Sequence, residues 1–431
     1  MSAPQADAWA SIAAADAAHV WHPYTQHGLP PAAVPIVRAE GAWLEDARGR
    51  RILDAVSSWW VTLHGHAHPA IAEAIAVQAR TLEQVMFAGF THAPAAELAS
   101  ALVTRLPAGL SRVFFSDDGS TAIEAALKLA IQWWRQRGEP RRLIVALEQA
   151  YHGDTFGAMS VSAPDLFTAP FQEHLFEVVR LPDPSVDAGA TLTALDALLD
   201  TRGREVAAVI VEPLVLGANG MRIYDAAVLR GIRERTAGRT LLIADEVLTG
   251  FGRTGPLFAC ERAGVAPDLM ALSKGITGGF LPLGATVATE ALFAGFVAED
   301  RRRSFFHGHS YTGNPLACAA ALASLTLLDD ACAARRAVIE QTHTAALARL
   351  AGHPLVRQPR VLGTIGALTL ETGPAGYLNP IGRDLAAFAL ARGVLLRPLG
   401  DVVYVLPPYC TTAAEVQLAW DVVESFLLQR A

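Results

Sequence analysis

Residues 241–246 read Leu-Leu-Ile-Ala-Asp-Glu, and residues 270–279 read Met-Ala-Leu-Ser-Lys-Gly-Ile-Thr-Gly-Gly. Each stretch begins with a short apolar run that predicts a buried strand. Open α/β sheets place their ligand contacts at the carboxyl ends of such strands. We therefore expect Asp245 and Lys274 to lie at the ligand-binding edge of a sheet.

Further apolar runs flank these two stretches and alternate with amphipathic segments between about residue 112 and residue 290. The candidate strands are 113–115, 143–147, 206–211, 240–244, 269–272 and 285–288, with candidate helices at 119–135 and 226–235. Strands that alternate with helices predict an α/β fold whose sheet is mainly parallel and covered on both faces.

The two ends of the chain have a different pattern. The candidate elements there are strands at 37–44, 364–370 and 402–406 and helices at 384–391 and 413–429. We expect a large domain over 66–330 and a C-terminal small α+β domain over 331–431. The N-terminal segment, 1–65, is expected to join the small domain.

The composition argues against several classes of function. The 431 residues suffice for a large and a small domain, and the net charge of −7, with both signs interspersed, gives nucleic-acid binding no support. The longest apolar stretch, 316–328, is shorter than the about 20 residues that span a bilayer. The N-terminus lacks a basic signal region, and the four cysteines have no CxxC spacing. We therefore expect a cytoplasmic protein that is not in a membrane.

Two histidine-rich runs, 64–68 and 307–309, resemble metal sites. Neither has an acidic or cysteine partner at ligand spacing, and their glycines suit turns. We expect no metal at either run.

Lys274 follows an apolar run and precedes glycines, so it is expected to be desolvated and close to a ligand. Burial lowers the pKa of a lysine and makes its amine a nucleophile toward a carbonyl. Such a lysine and a carboxylate such as Asp245 are what pyridoxal 5'-phosphate (PLP) requires, because one carries the aldehyde and the other holds the pyridinium nitrogen protonated. Surface ion pairs are the alternative that these residues leave open.

A phosphate site is predicted in residues 116–124, which read Ser-Asp-Asp-Gly-Ser-Thr-Ala-Ile-Glu. Thr121 and Glu124 have capping-box spacing, so a helix is expected to begin near Ser120. Gly119 allows close approach of the backbone, and the free N–H groups at a helix start attract anions. Many strand–helix turns have this pattern, so it predicts a phosphate cradle only together with the lysine.

Tyr151 begins the run Tyr-His-Gly-Asp-Thr at 151–155, directly after another predicted strand. An aromatic ring at that edge of the sheet can stack on a pyridine ring. A loop tyrosine that only shields the core is the alternative.

Four ordered motifs resemble the class III PLP-dependent aminotransferases, and the match runs through nearly the whole chain. They are Tyr-His-Gly-Asp-Thr-Phe-Gly-Ala-Met-Ser at 151–160, Ala-Asp-Glu-Val-Leu-Thr-Gly-Phe-Gly-Arg-Thr-Gly at 244–255, Leu-Ser-Lys-Gly-Ile-Thr-Gly-Gly at 272–279 and Gly-His-Ser-Tyr-Thr-Gly-Asn-Pro at 308–315. The resemblance implies a transferase of fold type I, with a mainly parallel seven-stranded sheet and a small domain built from both chain ends.

Segments near both ends resemble the biotin-biosynthesis branch of that family. They are Trp-His-Pro-Tyr-Thr-Gln at 21–26, Ser-Ser-Trp-Trp at 57–60, Arg-Pro-Leu-Gly at 397–400 and Pro-Pro-Tyr at 407–409. This resemblance implies that S-adenosylmethionine donates an amino group to 8-amino-7-oxononanoate and that 7,8-diaminononanoate is formed. Leu248 fits this branch, since many ornithine- and GABA-type relatives carry glutamine there.

The resemblance also implies roles for the cofactor-binding residues. Lys274 would be the Schiff-base lysine and proton shuttle, and Asp245 would pair with the pyridinium nitrogen. Gly119 and Ser120 would hold the phosphate. Tyr151 would lie against both the ring and the substrate.

A second group of residues would bind the substrate, a long aliphatic chain with a terminal carboxylate. Tyr24, Trp59 and Trp60 would form aromatic walls that bury its methylenes, at about 0.8 kcal/mol per CH₂. Gly308 would contact the substrate, and Arg397 would clamp the carboxylate. Adjacent tryptophans on a strand face opposite ways, so both can contact substrate only from a loop.

The active unit implied by the resemblance is a homodimer with active sites at the subunit interface, where His309 and Ser310 of the partner subunit complete the phosphate site. Gly-His-Ser at 308–310 replaces the Gly-Pro-Thr of a familiar form of the family, although Ser310 keeps the hydroxyl. The same sequence occurs in relatives that use lysine as donor. The amino donor therefore stays open between S-adenosylmethionine and lysine.

Other activities remain as alternatives at this point. Within the family, a broader ω-amino-acid transaminase that uses pyruvate is one. A glutamate-1-semialdehyde-type aminomutase, which needs no external donor, belongs to a different class. A non-enzymatic PLP-binding protein would need a broken catalytic set, and that set is present here.

Overall fold

A central sheet lies in the middle of the fold. The computed structural model describes residues 3–29, 33–374 and 376–430. In spatial order, the sheet's seven strands within these ranges are Leu110–Ser116, Gly284–Thr289, Leu269–Leu272, Leu241–Asp245, Val206–Val211, Leu143–Leu147 and Val178–Leu181. Gly284–Thr289 pairs antiparallel with both of its neighbours, and the other pairs are parallel. The predicted α/β fold with a mainly parallel seven-stranded sheet is confirmed.

Helices cover both faces of this sheet and build the outer parts of the molecule. Their bounds are Ala3–His19, Ser57–Trp60, Pro69–Ala79, Ala93–Val103, Gly119–Gln136, Phe156–Val161, Ala188–Arg202, Ala226–Thr236, Ala259–Ala263, Glu290–Ala294, Pro315–Thr326, Asp330–Leu350, Ile381–Leu390 and Ala413–Leu428. Short 3₁₀ turns cover Ala169–His174, Lys274–Thr277 and Arg301–Arg303.

Smaller sheets lie outside the central one. Within the described ranges, a four-stranded sheet contains Ile36–Glu40, Trp43–Asp46, Arg51–Asp54 and Val394–Leu395. A three-stranded sheet contains Val356–Leu362, Ile365–Leu370 and Val402–Val405. The strand Val215–Leu216 pairs with Arg222–Ile223. Val394–Leu395 runs parallel to Arg51–Asp54, so strands from both chain ends share one sheet. The predicted domain boundaries stay a prediction.

The single strand predicted at 37–44 is wrong. The chain forms two antiparallel strands there, Ile36–Glu40 and Trp43–Asp46, with Glu40 opposite Trp43. Gly41 lies between them at φ +58°. This left-handed conformation, which glycine adopts at little cost, allows the chain to reverse direction between the two strands.

Buried apolar strands hold the sheet in place. Every residue of Val206–Val211 and of Leu241–Asp245 is buried. Burial on both faces explains why these strands read as continuous apolar runs in the sequence. Polar side chains at their carboxyl ends therefore project from a rigid base.

Within the described ranges, no single helix is long and apolar enough to cross a membrane. The pair Pro315–Thr326 and Asp330–Leu350, bent by 75°, passes the same test by length and composition alone.

Candidate active site

A cavity of about 570 Å³ lies at the carboxyl edge of the central sheet. Nine of the residues predicted from the sequence line it. They are Tyr24, Trp59, Trp60, Gly119, Ser120, Tyr151, Asp245, Lys274 and Arg397. The fold thus brings together side chains that are separated by up to several hundred positions in the sequence.

Lys274 follows the strand Leu269–Leu272 and projects into the cavity. Its Nζ lies 5.1 Å from the centroid of the Trp60 ring. Desolvation lowers the pKa of Lys274, while the negative charges of Asp245 and Glu212 oppose that shift. A lowered pKa increases the fraction of neutral amine, the form that attacks a carbonyl.

Asp245 ends the strand Leu241–Asp245 and is 5% exposed. Its Oδ2 lies 2.7 Å from Nδ1 of His152, and its Oδ1 accepts a hydrogen bond from the backbone N–H of Val247 at 3.0 Å. Nε2 of His152 is buried and has no partner among the described residues. The paired imidazole holds the carboxylate in one orientation, which suits it to bind a cationic ring nitrogen.

His152 has no role in the prediction from sequence, although it lies next to Tyr151. It could have been found from its position, because it follows a buried strand that is parallel to the strand ending in Asp245. Only the fold shows that the two side chains meet.

The predicted phosphate site lies at the start of the helix Gly119–Gln136. A Cβ built at Gly119 would lie 2.8 Å from Cγ1 of Val247, so the position has no room for a side chain. Ser120 Oγ accepts a hydrogen bond from the backbone N–H of Asp154 at 3.1 Å. The first N–H groups of a helix have no partner within it and favour an anion.

The helix cap differs from the prediction. Asp118 is the N-cap: its Oδ1 accepts from the N–H of Thr121 at 2.8 Å, and Thr121 Oγ1 accepts from the N–H of Asp118 at 3.1 Å. The predicted pair of Thr121 with Glu124 is wrong. Glu124 Oε1 instead accepts hydrogen bonds from Thr155 and from the N–H of Gly157, which the fold brings alongside the helix.

Two tyrosine hydroxyls meet at the mouth of the cavity. The hydroxyl of Tyr24 donates to the carboxylate of Asp154 and lies 3.3 Å from the hydroxyl of Tyr151. Burial raises the pKa of Tyr24 to about 12 and raises the pKa of Tyr151 as well. Both phenols therefore stay protonated near neutral pH. The Tyr24 proton is donated to Asp154, whereas the Tyr151 hydroxyl is able to donate to a ligand.

Both tryptophans line the cavity because they leave regular structure. The short segment Ser57–Trp60 contains Ser58 at φ 58° and Trp60 at φ 67°. Trp60 is buried and its Nε1 donates to the hydroxyl of Tyr404 at 2.9 Å. Trp59 is 37% exposed and contacts Tyr24 edge to face, with ring centroids 5.5 Å apart.

Arg397 lies among these aromatic rings. Its guanidinium carbon is 4.2 Å from the centroid of Trp59 and 5.9 Å from the centroid of Tyr24. Stacking on two rings orients the planar guanidinium without neutralising its charge. The cavity thus has a fixed cation on its aromatic wall.

Glu212 is a cavity residue that the sequence reasoning missed. It follows the strand Val206–Val211 and is 5% exposed. Burial raises its pKa to about 7. An acid directly after a buried strand is the same signal that identified Asp245.

Gly308, His309 and Ser310 do not line the cavity of their own chain. They lie before the helix Pro315–Thr326 and are mostly exposed. His309 Nε2 lies 3.8 Å from Oδ1 of the cavity residue Asp117. The action of His309 and Ser310 from a partner subunit and the contact of Gly308 with substrate stay predictions.

The histidine-rich run at 64–68 is held by ordinary hydrogen bonds. His64 Nε2 lies 3.0 Å from Ser324 Oγ, and His66 Nε2 lies 2.9 Å from Asp54 Oδ2. Burial lowers the pKa of His64 to about 3. His64 is therefore neutral in the folded protein.

Residues 24–427 match the family described as Aminotransferase class-III. The chain is similar to the adenosylmethionine-8-amino-7-oxononanoate aminotransferase of Synechococcus elongatus, with 53% identity over 93% of this chain and 96% of the relative. It is also similar to the solved structure of the enzyme of that name from Methanocaldococcus jannaschii, with a TM-score of 0.92, 33% identity and coverage of 97% and 99% of the two chains. A PLP-bound amine transaminase from an uncultivated Pseudomonas species gives a TM-score of 0.88 at 31% identity, with coverage of 95% and 98%.

Proposed function

The chain belongs to the class III aminotransferases, and we propose that it uses PLP to transfer the amino group of S-adenosylmethionine to 8-amino-7-oxononanoate. The product is 7,8-diaminononanoate, an intermediate of biotin biosynthesis. One observation carries this proposal. A single cavity combines Lys274 and Asp245 with an aromatic wall that presents Arg397, and relatives of that name match nearly the whole chain.

The residues of the cavity fit PLP. Gly119 leaves space at the start of an 18-residue helix, where N–H groups would hold the phosphate together with Ser120. Asp245, held by His152, would keep the ring nitrogen protonated. When bound, PLP supplies a carbonyl that takes up the amino group and a ring that withdraws electrons from the reacting carbon.

Lys274 is the base and acid of the proposed reaction. Its lowered pKa allows Nζ to be neutral, so that it can take a proton from the substrate carbon and later return one. Its position over the Trp60 ring keeps Nζ inside the cavity and away from bulk water.

The aromatic wall binds the acceptor substrate. Tyr24, Trp59 and Trp60 bury its methylenes, each worth about 0.8 kcal/mol. Arg397 binds the terminal carboxylate with two parallel hydrogen bonds. The hydroxyls of Tyr24 and Tyr151 are protonated and orient the polar groups near the reacting carbon.

The active unit of this proposal is a homodimer in which His309 and Ser310 of each chain complete the phosphate site of the partner's cavity. Large apolar side chains that are exposed in one chain support an interface. They are Met86, Phe90, Phe306 and Tyr311. The cytoplasmic location predicted from the composition stays a prediction.

Half-reactions of the purified PLP form test the substrate and the donor separately. The protein is mixed with S-adenosylmethionine, with lysine or with 7,8-diaminononanoate, and the loss of PLP absorbance is followed. Bleaching by 7,8-diaminononanoate and S-adenosylmethionine is the expected result. Bleaching by 7,8-diaminononanoate and lysine would keep the product but change the donor. Without bleaching by 7,8-diaminononanoate, the assignment to biotin biosynthesis fails.

A further inference from the structure

The Glu212 carboxylate bridges two loops at the carboxyl edge of the sheet. Its Oε1 accepts a hydrogen bond from the backbone N–H of Tyr151 at 2.9 Å. Its Oε2 accepts one from the backbone N–H of Gly217, also at 2.9 Å. Each oxygen therefore binds a different loop, and both bonds are strengthened by the negative charge.

The backbone of Glu212 is itself held in place. The hydroxyl of Tyr224, a buried side chain, donates to the carbonyl oxygen of Glu212 at 2.7 Å. Asn219 Nδ2 donates to the carbonyl oxygen of Gln149 at 2.8 Å, which joins the same two loops a second time. The carboxylate thus projects from an immobile base toward the loop that carries Tyr151.

Gly217 has no room for a side chain, because a Cβ built there would collide with Cδ2 of Leu248. Glycine at this position therefore fits beside the Glu212 carboxylate. The two backbone hydrogen bonds of Glu212, with the bond from Asn219 to Gln149, join the two loops.

We propose that Glu212 is a positioning residue that acts through Tyr151. By accepting the N–H groups of Tyr151 and Gly217 at once, its carboxylate fixes the loop from which the Tyr151 ring and hydroxyl reach the substrate. The inference rests on the proposed function, since it assigns Tyr151 to substrate binding. It adds a determinant of substrate affinity that acts through the loop of Tyr151.

Glu212→Gln tests the bridge by steady-state kinetics. The amide has one oxygen acceptor, and its NH₂ group faces the other backbone N–H, so one loop loses its partner. The expected result is a KM for 8-amino-7-oxononanoate raised about tenfold, as for one charged hydrogen bond, with kcat changed less than about threefold. Asp268→Asn is the matched control. Asp268 accepts the N–H of Leu242 at 2.8 Å at the opposite edge of the sheet, so that variant should keep the KM.

A second variant isolates the action through Tyr151. On a Tyr151→Ala background, Glu212→Gln should raise the KM by less than about twofold, because the side chain that it positions is gone. An undiminished tenfold effect on that background would overturn the proposal. An unchanged KM for Glu212→Gln on the wild-type background would overturn it as well.

Hydrogen exchange gives a readout that does not depend on turnover. In Glu212→Gln at least one of the backbone amides of Tyr151 and Gly217 should exchange faster, because one of the two N–H groups loses its acceptor. In Asp268→Asn both amides should exchange as in the wild type. Unchanged exchange at both amides in Glu212→Gln would overturn the bridge. If the wild-type protein does not convert 8-amino-7-oxononanoate, the proposed function fails, and exchange still decides the role of Glu212.

The pH dependence of the wild-type KM provides a further test. Burial raises the pKa of Glu212 to about 7; Asp245 raises it further, and His152 opposes the shift. Lys274, Tyr151 and Tyr224 also face it. As the pH falls through about 7, the carboxylate takes up a proton and one acceptor weakens, so the KM should rise. In Glu212→Gln this step should disappear; its persistence would assign the step to another group.

Discussion

Lysine is rare in this protein, which has Lys128 and Lys274 as its two copies. Lys128 is exposed, and its Nζ lies 3.0 Å from His307 Nδ1 on the surface. Lys274 lies in the cavity with a lowered pKa. The pair offers a matched test, because the same side chain occurs once in each environment.

Borohydride reduction of the PLP-loaded protein, followed by peptide mapping, should attach PLP to the peptide that contains Lys274. Lys274→Ala should carry no PLP there and should lower kcat by roughly 10²- to 10⁴-fold or more, the usual contribution of a general acid or base. Lys128→Ala should behave as wild type. Labelling of Lys128 in place of Lys274 would contradict the assigned role.

Arg397→Met should raise the KM for 8-amino-7-oxononanoate by about ten- to a hundredfold, because the carboxylate loses its charged partner. The donor half-reaction should change little. Arg392→Met is the control, since Arg392 also stacks on an aromatic ring, at 3.4 Å from Phe388, but lies outside the cavity lining. Equal effects of the two substitutions would argue against a carboxylate site at Arg397.

At the scale of elements, helix starts distinguish a binding role from ordinary capping. Gly119 and Gly189 both lie in the first turn of a helix. A methyl at Gly119 would press on Val247 at 2.8 Å, whereas at Gly189 the nearest atom is Asp187 Oδ1 at 3.4 Å. Only the first of these helix starts lines the cavity.

Gly119→Ala should therefore weaken PLP binding by about tenfold and destabilise the fold by about 1–3 kcal/mol, as overpacking does. Gly189→Ala should leave PLP binding unchanged. Fluorescence titration with PLP and thermal unfolding measure the two effects. Unaltered PLP affinity in Gly119→Ala would place the phosphate elsewhere.

A buried histidine joins three elements near the C-terminus. His343, on the helix Asp330–Leu350, accepts a hydrogen bond from Trp420 Nε1 at Nδ1, at 2.9 Å, and its Nε2 lies 3.1 Å from the carbonyl oxygen of Thr364. Burial lowers the pKa of His343 from 6.5 to about 4. The neutral ring is required, because a protonated Nδ1 cannot accept from Trp420.

His343 should make the folded protein less stable at acidic pH. The pKa of His343 is lower in the folded state than in the unfolded state, so the neutral ring stabilises the fold above pH 6.5. This contribution to the free energy of unfolding is lost as the pH falls toward 4. From about pH 7.5 to about pH 5 the loss should reach about 2 kcal/mol. His343→Gln keeps one acceptor and one donor without titrating, so urea unfolding of this variant should show a weaker dependence on pH. An identical dependence would assign the effect to other groups.

At the scale of the whole molecule, the proposed homodimer has a specific consequence. If His309 and Ser310 serve the partner's cavity, a Lys274→Ala chain and a His309→Ala/Ser310→Ala chain complement each other. In a mixed dimer one cavity combines an intact Lys274 with an intact 309–310 segment from the partner. The other cavity carries both defects.

Mixing the two inactive variants under conditions of subunit exchange should restore about half of the wild-type activity per mixed dimer, since one of its two cavities is complete. Light scattering should show a dimer for each variant alone. Absence of recovery in proven mixed dimers would mean that the 309–310 segment acts within its own chain.

The chemistry of single residues follows directly from local sequence. Short apolar runs ending in Asp245 and preceding Lys274 predicted both the buried strands and the edge at which their side chains act, because burial on both faces needs a continuous apolar pattern. Gly119 was identified in the same way, from a turn between a strand and a helix. Such signals lie within a few residues of the group that they identify.

Contacts between distant segments were decided by the tertiary structure. Local spacing paired Thr121 with Glu124, yet Glu124 accepts a hydrogen bond from Thr155, at the start of another helix, and Asp118 caps the helix. His152 meets Asp245 across the sheet in the same way. A carboxylate accepts hydrogen bonds from whichever donors the fold places beside it. The spacing of residues along one segment does not predict donors that belong to another segment.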